Sequence, residues 1–205
     1  MKRLTAAAAA AMILAYGMAA GEQNPDSAWN RFGQPEVTAA VTATPAPNAF
    51  RFRDGIRWGM NAMQVRALEP EQMTERSMSD WSVLFTEGKV TVSRFTADLV
   101  FMFRADRLMM ATYEFSRETR DSFQYISAAL SSVYGDKTDA DPLVVKSLMD
   151  AVNPNRYRTD LITDSCVWTT ADRTTIYLYH YSSNDFAIMY VSPEQGTRVY
   201  QTNGL

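Results

Sequence analysis

The chain has 205 residues, of which 46% are apolar and 21% charged, with a formal net charge of −3, one cysteine and one histidine. This is ordinary globular composition, and one cysteine excludes a disulfide within the chain. A single histidine and a single cysteine also exclude a Cys/His zinc site built from this chain alone. The mild acidity argues against a nucleic-acid-binding surface, which requires a basic stripe.

Residues 1–20 have the pattern of a secretory signal peptide. Lys2 and Arg3 precede an uncharged, alanine-rich run that ends in small residues near Ala20. The run is shorter and less apolar than a membrane-spanning helix requires, so we expect cleavage and no stable membrane insertion afterwards. Cleavage would remove two basic residues and change the formal charge from −3 to −5. The mature protein is therefore expected to be secreted or periplasmic.

Residues 21–49 are expected to form a flexible linker. The segment holds four prolines and a low-complexity stretch of alanine, threonine and valine. Proline favours extended neighbours, and so few large apolar side chains cannot offset the entropy of ordering the segment. We therefore expect a single domain over residues 50–193, composed of two similar halves (50–116 and 117–193), followed by a tail at 194–205.

The first half is predicted to open with a helix over residues 62–69. Asn61 can cap this helix with Gln64 as its partner, Val65 and Leu68 would share the inner face, and proline follows at position 70. The remaining elements are all strands. We predict a hairpin of strands 81–86 and 89–95, followed by strands 97–104 and 108–115.

The second half repeats this order. Apolar spacing and Gly135 predict a helix over residues 120–134, and Asp141-Pro142 predicts the start of a short third helix. Further strands are predicted at 165–170, 174–181 and 186–192. A shift of 78 residues aligns the two halves and places Tyr177 on Leu99. The predicted fold class is α+β: two helix-plus-antiparallel-meander units form one sheet, with the helices packed on one face.

Several motifs of residues 50–193 occur in the same order in a group of known proteins. They are Trp58-Gly59-Met60-Asn61, L-x-F-x-F at 99–103, A-x-Y-x-F at 111–115, Tyr134-Gly135, Trp168 and T-x-I-x-L at 174–178. On these motifs the chain resembles secreted bacterial proteins of uncharacterised function that are similar to the beta-lactamase-inhibitor-protein-like fold, also seen in small outer-membrane assembly lipoproteins. It departs from them in having Asn61 in place of Ser or Thr, and no lipidation cysteine. The resemblance implies a fold, an extracytoplasmic location and protein binding, but no reaction.

Cys166 and His180 are the first candidates for catalysis, because a thiolate and an imidazole can act as nucleophile and base. Both lie on predicted strands, and Asp172 or Asp185 would have to orient the pair. A lone cysteine on a core-facing strand is more often a small apolar residue. The sequence therefore assigns no catalytic residue.

Acidic residues give two further candidates. Asp136, Asp139 and Asp141 form an acidic loop, but they lack the ligand spacing, central glycine and distal glutamate of a calcium loop. Glu114 and Glu118 are paired only by spacing, and we expect them at a solvated strand end. The sequence accordingly predicts no metal site and no cofactor.

Four tyrosines on adjacent predicted strands are the candidate binding residues: Tyr177, Tyr179, Tyr181 and Tyr190. On an open sheet face they would offer large, rigid contact area with polar tips, which suits recognition of a protein or glycan. The alternative is that the tyrosines belong to the core, as cross-strand aromatic pairs commonly do. Exposure of the rings distinguishes the two interpretations.

Taken together, these patterns favour a secreted or periplasmic, non-catalytic module that binds a protein or cell-envelope component, with no nucleic-acid partner. The alternative is an extracytoplasmic hydrolase-like enzyme whose site is not recognisable in the sequence. A pocket that brings Cys166, His180 and a carboxylate within hydrogen-bonding distance would favour the enzyme.

Overall fold

The computed structural model describes residues 52–53, 55–152, 162, 164–180 and 184–202. The chain divides into two units after Pro47, and all described residues belong to the second, Asn48–Leu205. The predicted signal peptide, the predicted linker and Tyr181 lie outside the described residues.

An antiparallel sheet of nine strands, with four helices, makes up the described part of the chain. The strands are β1 (Met73–Met78), β2 (Trp81–Thr86), β3 (Val90–Val92), β4 (Phe95–Arg104), β5 (Arg107–Ser116), β6 (Thr138–Asp139), β7 (Ser165–Thr169), β8 (Thr175–His180) and β9 (Asp185–Val191). The helices are α1 (Ala62–Leu68), α2 (Arg120–Tyr134), α3 (Pro142–Val152) and α4 (Pro193–Thr202). Strand order is β1-β2-β4-β5-β9-β8-β7-β6, with β3 paired to β4. The predicted α+β class is confirmed.

The two halves of the sheet repeat each other with the same strand register. Leu99 of β4 pairs with Tyr113 of β5, and Ile176 and Tyr190, each 77 positions later, pair in the same way in β8 and β9. The predicted shift of 78 residues was therefore one too long, and Ile176, not Tyr177, is the counterpart of Leu99. A one-residue slip exchanges the two faces of a strand.

A pseudo-two-fold axis passes through the middle of the sheet. Strands β5 and β9 pair antiparallel with Thr112 opposite Met189, and these two residues are themselves 77 positions apart. The pairs on either side of this position are related in the same way, for example Tyr113 with Ile188 and Ala111 with Tyr190. The two halves therefore join by a self-complementary seam at the centre of the sheet.

The two faces of the sheet have different chemistry. On one side, which we call the aromatic face, the core cluster contains every buried phenylalanine of the described residues and side chains of α1 and α2. On the other side, the methionine face, the cluster contains every buried methionine of the described residues and side chains of α3. Helices α1 and α2 share one face, as predicted, whereas α3 covers the opposite face. The predicted placement of all helices on one face was therefore incomplete.

The segment before α1 is anchored on the aromatic face. The ring of Phe52 lies 5.5 Å from that of Phe101 and 5.0 Å from those of both Tyr113 and Tyr190, measured between centroids. Next to it, the guanidinium of Arg53 donates two hydrogen bonds to the buried carboxylate of Glu69 at the end of α1. The segment therefore closes the core over the central strands of both halves.

Helix α1 begins with the predicted capping box. The N–H of Gln64 donates to the Asn61 side chain at 2.9 Å, and the Asn61 N–H donates to the Gln64 side chain at 3.0 Å. Val65 is fully buried on the inner face. Leu68, predicted to share that face, is instead exposed, and α1 ends at this residue.

Replacing Asn61 by alanine is expected to lower the free energy of unfolding by about 1 kcal/mol, because the Gln64 N–H loses its acceptor. Met63→Ala on the exposed side of the same helix is the matched control and should change stability by less than about 0.5 kcal/mol. Urea denaturation of both variants measures the difference. Equal effects would contradict the role of the cap.

Three elements differ from the sequence prediction. The prediction that strands 81–86 and 89–95 form a hairpin was wrong. β2 pairs with β1 and β4, and β3 pairs with β4. Strand β1 was missed, since its sequence MTERSM lacks apolar alternation. The sequence prediction placed no helix in the segment 194–205, which it described only as a tail. Helix α4 starts at Pro193, and the N–H of Gln195 donates to the Ser192 hydroxyl before it.

Candidate functional site

The predicted tyrosine row is not an open surface in the described residues. Tyr177, Tyr179 and Tyr190 are 4%, 2% and 6% exposed, respectively. Tyr177 and Tyr179 belong to the core of the methionine face beneath α3, and Tyr190 belongs to the opposite core beside Phe52. Burial therefore supports the alternative interpretation, in which these tyrosines stabilise the core. The physical reason is that helices cover both faces of the sheet.

Cys166 and His180 lie on the same face of β7 and β8, but their surroundings do not suit a nucleophile and base. Burial raises the pKa of the Cys166 thiol, which keeps it protonated and poorly nucleophilic. The His180 ring stacks on Phe123 of α2 with 4.3 Å between centroids and lies 5.7 Å from the ring of Phe186. Both side chains therefore serve the aromatic core.

The acidic candidates also have structural roles. Asp141 accepts a hydrogen bond from the N–H of Leu143 at 2.8 Å and so caps α3, as predicted. Glu118 accepts one from Ser122 at 2.8 Å at the start of α2. Glu114 was wrongly expected at a solvated strand end. It is 5% exposed and lies within β5, between β4 and β9. No group of three metal-binding side chains occurs within the described ranges.

The long accessible edge of the sheet is β1. Among the described residues β1 pairs with β2 alone, and its register is continuous over all six residues. All of its side chains are exposed or half-buried. The opposite edge is β6, which has only two residues. The sheet thus presents one long edge and one short edge.

Backbone alternation shows which groups of β1 point away from the sheet. The N–H of Glu87 donates to the carbonyl of Gln72 at 2.9 Å, so residue 72 faces β2. Hydrogen-bonded and outward positions alternate along an antiparallel strand. Met73, Glu75 and Ser77 therefore direct their backbone N–H and carbonyl groups outward. The Met73 carbonyl accepts a hydrogen bond from Arg66 Nη1 at 2.7 Å, so an added strand would pair with Glu75 and Ser77.

A polar hollow of about 420 Å3 lies at the Met73 end of this edge. It is lined by Arg66, Glu69, Pro70, Glu71, Gln72, Met73 and Glu87. Glu69 is neutralised by Arg53, and Arg66 is paired with Glu75 at 3.1 Å. Glu71 and Glu87 then give the hollow a net negative charge.

Glu75 in the middle of the edge is held in its charged form. Its carboxylate accepts hydrogen bonds from Ser82 at 2.5 Å and from Arg66 at 3.1 Å, and these two contacts lower the pKa of the Glu75 carboxyl. Both contacts lie on the side of the strand that faces α1. The Glu75 side chain is therefore tied to α1 and β2.

No protein-family model, curated protein or solved structure matches this chain. None of the helices in the described ranges has the length and apolar character needed to cross a membrane.

Proposed function

We propose that the protein is a secreted or periplasmic, non-catalytic module that binds an extended segment of another protein by strand addition to β1. The observation that carries this proposal is the open edge itself: six residues in unbroken register, with accessible side chains and outward backbone groups. Exposed edges commonly pair with a partner strand unless the protein blunts them with proline, bulges or very short strands. β1 has no proline and no bulge and is six residues long, and its charged side chains, Glu75 and Arg76, are the one edge-protecting feature that it carries. β6 has only two residues.

The chemistry of the edge defines the partner. Main-chain hydrogen bonds to Glu75 and Ser77 would supply affinity, and side-chain pockets beside the edge would supply specificity. The negative hollow formed by Glu71 and Glu87 favours a lysine or arginine in the added segment. The signal-peptide pattern of residues 1–20 supports an extracytoplasmic location. The resemblance to secreted proteins of uncharacterised function, whose fold includes protein-binding modules, supports a binding role.

A display library of random linear peptides, selected on the exported form of the chain, tests the proposal. Enriched peptides are expected to contain alternating apolar residues and one basic residue. The decisive variant is Ser77→Pro, which removes an outward N–H while leaving the bonds to β2 intact. It should weaken peptide binding at least tenfold, whereas Ser77→Ala should retain it. The unfolding midpoint in urea should be nearly the same for both variants.

Other outcomes would contradict the proposal. Binding that is equally strong in Ser77→Pro would place the peptide elsewhere on the molecule. Concentration-dependent dimerisation that Ser77→Pro abolishes would assign the edge to a second copy of the chain. Retention of residues 1–20 in the exported protein, measured by intact mass, would contradict cleavage of the signal.

A further inference from the structure

The side chains of β1 alternate between the two sides of the sheet edge. Met73 packs against the core of the aromatic face, and Met78 packs against the core of the methionine face. Successive side chains of a strand point to opposite faces. Glu75 therefore lies on the side of Met73, and Arg76 lies on the side of Met78. An added strand meets different chemistry on its two sides.

Arg76 is an exposed cation that forms no ion pair within the described part of the chain. Its guanidinium lies over the ring of Phe85, 5.5 Å from the centroid, and this contact holds the charge beside the edge. The backbone groups of Arg76 face β2, so a residue opposite it on an added strand forms a non-hydrogen-bonded pair, in which side chains approach most closely. Opposite charges that face each other across two strands attract, so this position favours an acidic residue.

The acidic hollow lies further along the same edge, at Met73. Its carboxylates Glu71 and Glu87 form no ion pair among the described residues, and Glu87 accepts a hydrogen bond from the Thr74 hydroxyl at 3.0 Å. Because Arg66 Nη1 occupies the Met73 carbonyl, the backbone pairing of an added strand stops at this point. The side chain opposite Met73 is then beside the hollow, where opposite charge favours lysine or arginine.

We infer that the segment added to β1 runs antiparallel to it, with an acidic residue opposite Arg76 and a basic residue three positions later, opposite Met73. The antiparallel direction is favoured because every strand pair in the described sheet is antiparallel and this pairing is slightly more stable per residue. Glu75 is already paired with Arg66 and therefore adds no third charge to the pattern. The inference rests on the proposed function and adds the direction, register and charge pattern of the partner segment.

The test uses a fluorescent peptide of sequence TVEVTKT, blocked at both ends, and the full exported chain at low ionic strength. The reversed sequence TKTVEVT has the same composition and charge and should bind about fivefold more weakly in fluorescence anisotropy. Arg76→Glu should weaken the binding of TVEVTKT about fivefold, and exchanging the glutamate of the peptide for lysine should restore binding to this variant within about twofold. Arg94→Glu is the matched control and should bind like the unaltered chain. Arg94 also lies over an aromatic ring, 4.2 Å from the centroid of Tyr125, but it belongs to the turn between β3 and β4.

The hollow is tested by removing its charge. Glu71→Gln combined with Glu87→Gln should weaken the binding of TVEVTKT about fivefold but should change the binding of TVEVTQT by less than about twofold. Both carboxylates and Arg76 are exposed, so the unfolding midpoints in urea should be nearly the same for all of these variants.

Ser77→Pro separates this inference from the proposed function. If it abolishes the binding of library-selected peptides while Arg76→Glu has no effect, the edge is a binding site but the charge pattern is overturned. The same conclusion follows if the reversed peptide binds as tightly as TVEVTKT, or if TVEVTKT does not bind while library-selected peptides do. If Ser77→Pro weakens neither TVEVTKT nor the library-selected peptides, the proposed function fails and this inference fails with it.

Discussion

Replacing Glu69 by alanine is expected to lower the free energy of unfolding by about 3 kcal/mol. The Glu69 side chain is buried, and its carboxylate accepts hydrogen bonds from Arg53 Nη2 and, at 2.6 Å, from Arg53 Nε. The variant leaves a partly buried guanidinium without its counter-charge beside Tyr113. The loss also releases the segment that holds Phe52 in the core. Urea denaturation followed by tryptophan fluorescence measures the change.

A double replacement provides the control for this prediction. Arg53→Met combined with Glu69→Leu exchanges the ion pair for apolar side chains, and its stability should lie within about 1 kcal/mol of the unaltered chain. The double variant would then be more stable than Glu69→Ala alone. If Glu69→Ala costs less than about 1 kcal/mol, the ion pair does not anchor the segment before α1.

The protein is expected to lose stability steeply in alkaline solution. Burial raises the pKa values of Tyr113 and Tyr190 above the ordinary value of tyrosine, so the folded state keeps both protons. The unfolded chain releases them above about pH 10 and therefore binds fewer protons than the folded chain. The two protonated tyrosines contribute fully to the free energy of unfolding below pH 10. This contribution is lost as pH rises above that value, by about 1.4 kcal/mol per pH unit for each tyrosine.

Urea denaturation between pH 8 and pH 12 tests this expectation. The free energy of unfolding should be nearly constant at first and then fall as pH rises above about 10. Tyr113→Phe should reduce the slope above pH 10 by about half, whatever its effect at neutral pH. A slope that does not change in Tyr113→Phe would mean that this hydroxyl ionises equally in both states.

Elements with strong local signals could be predicted from the sequence. Helix α2 was predicted with its bounds, because its apolar spacing and the glycine after it both mark a helix. The capping box of α1 and the cap of α3 were also confirmed. Strand β1 could not be found by apolar alternation, since an edge strand with both faces accessible has no apolar side to repeat.

The candidate binding residues depended on strand register, which the sequence does not determine here. Strands β4 and β8 are apolar on both faces, so their patterns align almost equally well at shifts of 77 and 78 residues. Only the pairing of Ile176 with Tyr190 reveals the correct shift. The position of α3 on the methionine face could not be predicted either. The apolar spacing of a helix shows that it packs on a sheet, but not on which of the two faces. The open β1 edge could be identified only from the order of the strands in the sheet, which the sequence does not reveal.

The central seam has a consequence for how the chain folds. Strands β5 and β9 pair residues that are 69 to 81 positions apart, whereas β4 and β5 are joined by a tight turn at Ala105 and Asp106. Contacts between distant residues form late. Until β9 arrives, β5 is an edge strand of ten residues, eight of which are buried in the final structure. A half-synthesised or half-exported chain therefore passes through a stage at which this strand has one unpaired edge and is prone to aggregate.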